Sequence, residues 1–95
     1  MYRRETARLY EISRAATFRL VVSRHAERQM KDRDIARFDV ERVLKTGAVV
    51  MVETDPDGSE RWRVAGHDTD AQRIEVVVEP VPPSLLVLVT AIRVS

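Results

Sequence analysis

The sequence contains no cysteine, which excludes a disulfide framework, a thiolate nucleophile and any thiolate metal site, and leaves a reducing cytoplasm as the default compartment. It also lacks a long apolar run. The longest, Leu85 to Val89 continued by Ala91 and Ile92 and closed by Arg93, is about half the ~20 residues of a membrane-spanning helix, so no membrane association is expected. The opening stretch Met1-Tyr2-Arg3-Arg4-Glu5 is basic but leads into no apolar segment, and secretion through a signal peptide is not expected either. Net charge is scarce as well: sixteen Lys and Arg against fifteen Asp and Glu leave +1, too little to hold a phosphate backbone by overall charge. A role on nucleic acid therefore needs local asymmetry, and the sequence has some. Residues 1–42 carry eleven Lys or Arg against seven Asp or Glu, whereas residues 45–79 carry four against eight.

What is present describes one folded domain. Ninety-five residues bury a single core, and 44% hydrophobic with 33% charged residues is the balance of an ordinary globular chain. Residues 4–16 hold no Gly or Pro and place Leu9, Ile12 and Ala16 on one face, predicting a helix. Residues 18–22 alternate as a short extended lead-in or edge strand. Ser23 is suited to cap a helix that runs to about Asp32, with Ala26 and Met30 facing the core. A further short helix over residues 39–46 buries Val40, Val43 and Leu44 and stops at Gly47. Four β-type runs follow, over residues 48–54, 60–65, 73–79 and 85–94, and their short polar turns predict an antiparallel meander. Pro80, Pro82 and Pro83 argue against a central strand between the last two runs. Val76-Val77-Val78 and Leu85 to Val89 are apolar on both faces, so these strands are expected inside the sheet, with the last not at an edge. Helices cover one face; the other is expected to be closed by the N-terminal helix, by a loop or by a second copy of the chain. The expectation is an α+β fold in which N-terminal helices pack on a four-stranded antiparallel sheet.

Four segments in order resemble the DUF4258 family. They are Ser23-Arg24-His25-Ala26-Glu27-Arg28-Gln29-Met30 with Arg33-Asp34-Ile35; Asp39-Val40 with Val43-Leu44-Lys45-Thr46-Gly47; Arg61-Trp62-Arg63-Val64-Ala65-Gly66; and Ile74 to Val78 with Val87 to Ala91. The resemblance covers residues 18–94 and leaves 1–17 as a helical extension. Asp34 stands where the family pattern has glycine, and Gln29 where it has arginine. The resemblance implies a RelE/ParE-like fold of the barnase/EndoU/colicin nuclease group. With it comes the expectation of a toxin-like ribonuclease that cleaves RNA without metal or cofactor and is partnered by an antitoxin-like protein.

Such cleavage needs an acid–base group and cations around a phosphate. His25, in the first turn of the second helix beside free amides, is the candidate acid or base. The alternative for it is a border histidine bonded to a carbonyl. Arg28, one turn away, and Arg61 complete the candidate catalytic set, with Arg63 and Thr90 as substrate-binding residues. Arg61 and Arg63 leave one face of a strand, ~7 Å apart, where they can clamp phosphate or pair with Glu53, Glu75 or Glu79 across the sheet. Thr90 can orient phosphate or simply satisfy a backbone carbonyl. Arg33 continues the Ala26/Met30 face, which predicts a structural ion pair, and Trp62 is expected in the core. His67 and His25 have no ligand spacing, so no metal site is expected. Against the enzyme stands a non-catalytic protein-binding module on the same scaffold, acting through a protein partner or a homodimer. A basic concavity joining His25 to Arg61 is the surface expected of the enzyme, and a flat apolar or acidic face that of the binder.

Overall fold

In a computed structural model describing residues 2–94, the order is α1 (Arg3–Arg14), β1 (Arg19–Val22), α2 (Arg24–Asp32), α3 (Arg37–Thr46), β2 (Ala48–Thr54), β3 (Glu60–His67), β4 (Arg73–Val81) and β5 (Leu85–Arg93). The α+β class is as expected, but the sheet is not four-stranded and not wholly antiparallel. Five strands lie in the order β1-β5-β4-β3-β2. β2 to β5 form the antiparallel meander, and β1 adds to β5 in parallel, Arg19 opposite Leu85 through Val22 opposite Leu88. The four residues of β1 join because Leu20 is buried and Val22 packs against the core. The bond from Arg37 Nη2 to the Leu20 carbonyl, 2.8 Å, shields the strand's outer side.

β5 is interior, between β1 and β4, as its apolar run requires. β4 runs through Pro80 to Val81, and where it passes the proline it is not a central strand, as expected. The reason is local: β3–β4 pairing ends at Trp62 opposite Val78, so at Pro80 the strand is paired to β5 alone and one missing N–H costs no ladder bond on the free side.

All three helices lie on one face. Ser23 Oγ accepts from the Ala26 amide at 3.1 Å and starts α2 as predicted. Asp34 ends its turn in the left-handed region, φ 55°, a conformation aspartate tolerates in place of glycine. α1 is fastened to the junction of α3 and β2: Tyr10 donates to the Gly47 carbonyl at 2.8 Å, Arg14 to the Lys45 carbonyl at 2.8 Å, and Thr6 Oγ1 accepts from the Val49 amide at 3.0 Å. The core between helices and sheet joins Leu9, Ile12, Val40, Val43 and Leu44 to Trp62, Val64, Ile74, Val76, Leu86 and Leu88. Trp62 is fully buried, with the Arg8 guanidinium 5.4 Å from its ring centroid. Among the described residues no helix is long and apolar enough to cross a membrane.

Candidate functional site

α2 carries His25 and Arg28, both exposed. The helix starts where β1 stops and continues beside β5. The Ser23 amide donates to the Leu88 carbonyl at 3.0 Å, and Gln29 Oε1 accepts from the Ala91 amide at 2.9 Å. Gln29 thus satisfies an edge donor that no neighbouring strand reaches. His25, one turn before Gln29, stands on the same side of the helix. Among the described residues its imidazole makes no hydrogen bond, so the carbonyl-bonded alternative is not what is seen. Arg33 forms no ion pair among the described residues. The helix ends at Asp32, which turns Arg33 out of the core face, and its carbonyl accepts from Arg93 Nε at 3.4 Å.

The outer face of the sheet, opposite the helices, carries Arg61, Arg63 and Thr90. Arg61 Nε lies 3.7 Å from Glu79 and 3.9 Å from Asp55. Arg63 Nη1 is 3.2 Å from Glu75, whose other oxygen is 3.1 Å from Arg73 Nη2. Cross-strand carboxylates therefore hold both arginines proposed as a phosphate clamp. Thr90 lies opposite Val77, and Val77 opposite Arg63, so these three share one row across the outer face. His25 and Arg28 do not join them in one clamp. The backbone that carries them leaves the sheet at β1, three strands from β3, a separation of about 14 Å at ~4.8 Å per strand.

A family model described as "Domain of unknown function (DUF4258)" matches residues 22–93. The chain belongs to the DUF4258 family. No curated protein and no solved structure matches the chain. The matched part of this DUF4258 chain begins at the end of β1 and includes His25, Arg28, Arg61, Arg63 and Thr90, while α1 lies outside it.

The outer face also holds an aliphatic band, the second apolar face that the β4 and β5 runs predict. Val21 and Val87 face outward in one row, Leu85 and Val81 in the next, and Val77 and Ile92 beyond them. Among the described residues no helix covers this aliphatic band; Val21 is 44% and Val81 36% exposed. The signal was present in the double-sided apolar runs of β4 and β5, whose second face had to go somewhere.

An element that the sequence pattern did not single out is the pair of Arg93 and Asp68. Nη1 of Arg93 is 2.6 Å from Asp68 Oδ2, and Nη2 donates to the Asp34 carbonyl at 3.0 Å. Asp68 Oδ1 accepts from the Asp70 and Gln72 amides, both at 2.9 Å. The Arg93 bond first, and the Gln72 amide next, hold the Asp68 carboxyl below its ordinary 3.8. A carboxyl depressed on folding contributes stability that is fully present above its unfolded pKa and lost as pH falls through the folded value. Asp68→Asn is therefore expected to lower the urea midpoint at neutral pH. It is also expected to reduce the further loss on acidification below about pH 4, the ordinary aspartate range. Parallel midpoint-against-pH curves for variant and wild type would assign the acid sensitivity elsewhere. Among the described residues no three His, Asp or Glu side chains converge on a metal site.

Proposed function

We propose that this DUF4258 chain is a non-catalytic protein-binding module that works as a homodimer closed through the outer face of its sheet. The observation that carries the reading is the uncovered band of Val21, Val77, Val81, Leu85, Val87 and Ile92. Of the three covers the sequence pattern allows, α1 is used on the helix side, where Leu9 and Ile12 enter the core, and the strand connections are short. That leaves a second copy. Charge agrees with it. Arg63 and Arg73 share Glu75, and Asp55 and Glu79 flank Arg61, so the face holds one cluster with excess positive charge and one with excess negative charge. Such a face is self-complementary under a two-fold axis. Five strands and about seven residues along each give a face of roughly 24 by 23 Å, and side-chain relief raises its area toward the ~800 Å² per partner of a standard interface.

The antiparallel meander of β2 to β5 under α2 and α3 supports the RelE/ParE-like grouping that the family resemblance implies, and it makes a small antitoxin-like protein the competing occupant of the same face. Light scattering over a concentration series separates the two. A molar mass twice the 10.9 kDa of one chain supports the homodimer, and a monomer at every concentration sinks it.

One observation favours a second reading, RNA cleavage at α2. His25 is exposed in a helix first turn, and Arg24, Arg28 and Lys31 line an adjoining cleft of about 310 Å³ with Glu27 as its one acidic residue. Here His25 acts as acid or base and Arg28 holds phosphate, while Arg61 and Arg63 join only if their carboxylate pairs open. Expression in a bacterial host with total RNA examined for cleavage tests it. His25→Ala should lower an established cleavage rate by ~10²- to 10⁴-fold with folding intact. An unchanged rate would make His25 incidental.

A further inference from the structure

A second concave site lies at the other end of the sheet. β2 begins at Ala48, opposite Ala65, so the last residues of β3, Gly66 and His67, have no β2 neighbour. The C-terminal turn of α3 and Tyr10 of α1 wall off the space beside them, forming a cleft of about 370 Å³. Packing dictates its open floor. A side chain on Gly66 would stand 3.2 Å from a Val43 methyl, and one on Gly47 would stand 2.4 Å from the Ala65 carbonyl oxygen. Gly47 therefore admits no side chain, and one on Gly66 would press on Val43, so the backbone floor is left bare.

Three nitrogen-bearing side chains border this floor: Arg42 from α3, His67 from β3 and Arg73 from β4. His67 and Arg73 are direct cross-strand partners. Arg42 is exposed and among the described residues makes no ion pair. Arg73 shares Glu75 with Arg63, which leaves that cluster with excess positive charge. Among the described residues no acidic side chain lines the cleft. The end of α3 would ordinarily repel an anion through its free carbonyls, but donors meet several carbonyls of its last turns. The Gly47 amide takes the Val43 carbonyl at 2.8 Å, the Thr46 hydroxyl that of Arg42 at 2.7 Å, and Arg14 that of Lys45 at 2.8 Å.

We infer that this cleft binds a small phosphate monoester, with Arg42 and His67 as its donors and Arg73, whose Nε and Nη2 are held by Glu75, adding positive charge at its border. Guanidinium groups match phosphate oxygens with paired N–H donors, and the volume falls within the range of small-ligand pockets. The cleft lies apart from the aliphatic band and from His25 and shares only Arg73 with the charged cluster of the outer face, so Arg42 and His67 stay available whether or not either reading above holds.

The test is amide chemical-shift titration of the folded chain with inorganic phosphate and, separately, with a nucleoside monophosphate. Saturable shifts centred on Gly47, Gly66 and His67 are expected, weakened at least ~10-fold by Arg42→Ala and by His67→Ala, one lost charge-assisted contact each. Tighter binding of the nucleotide identifies a nucleotide site; equal affinity identifies a plain phosphate site. No saturation, shifts confined to the start of α2, or affinity unchanged in both variants overturns the assignment. Unchanged far-ultraviolet circular dichroism keeps a loss in either variant from being one of folding.

Discussion

Replacing Trp62 with alanine is expected to remove about 3–5 kcal/mol of folding stability, a large share of the ~5–14 kcal/mol available to a chain of this length. The indole is fully buried. Its strand neighbours are Val52 on β2 and Val78 on β4, its Nε1 donates to Glu60 Oε1 at 3.0 Å, and Arg8 of α1 covers its ring. Truncation therefore opens a large cavity and releases one of the contacts that hold α1 to the sheet. Trp62→Phe keeps an aromatic ring but loses the N–H bond and some volume, and should cost less. Urea midpoints of the three proteins check the order. A Trp62→Ala midpoint within error of wild type would mean that the core is organised around other residues.

Local chemistry was legible in the sequence where one or two residues decide it. Ser23 caps because its side chain reaches an amide three residues on, and Asp34 takes φ 55° because aspartate tolerates it. β5 is interior because an apolar run of that length has no other stable place. Residues 18–22 suit a lead-in or an edge strand alike, and the choice between them depends on a distant partner. β1 is only four residues long, and what makes it a strand is β5, 66 residues further along the chain at the Arg19–Leu85 pair. The prolines exclude a central strand, in agreement with the end of β3 pairing two residues before Pro80, but how far β4 continues along β5 is set by their pairing and not by local sequence.

For the candidate site, spacing placed Arg61 and Arg63 on one face correctly, yet phosphate and carboxylate satisfy a guanidinium equally well on paper. The register decides in this structure for Glu79, Asp55 and Glu75. Gln29 looked like a basic position lost from the family pattern, and its role as a cap on the Ala91 amide depends on β1 ending just short of it. The cleft of Arg42, His67 and Arg73 draws on two strands and a helix, a convergence that linear spacing does not encode.

The second large effect concerns the outer face. Val87 lies at the centre of the aliphatic band, between Val21 of β1 and Glu79 of β4. In a monomer a lysine there extends into water and leaves the inner core untouched, since Leu86 and Leu88 carry that burial. In the proposed dimer it would place an ammonium inside an apolar contact, with only Glu79, already shared with Arg61, beside it, a penalty of several kcal/mol. Val87→Lys should therefore weaken self-association at least ~100-fold, about 2.7 kcal/mol. It should leave the circular dichroism spectrum and the urea slope of the monomer unchanged.

The most direct measurement is sedimentation equilibrium of wild type and Val87→Lys side by side at matched concentrations. A wild-type mass of two chains that falls to one chain in the folded variant is predicted. A monomeric wild type, or a dimer that survives Val87→Lys, would contradict the claim that the open sheet face is where this protein meets its second copy.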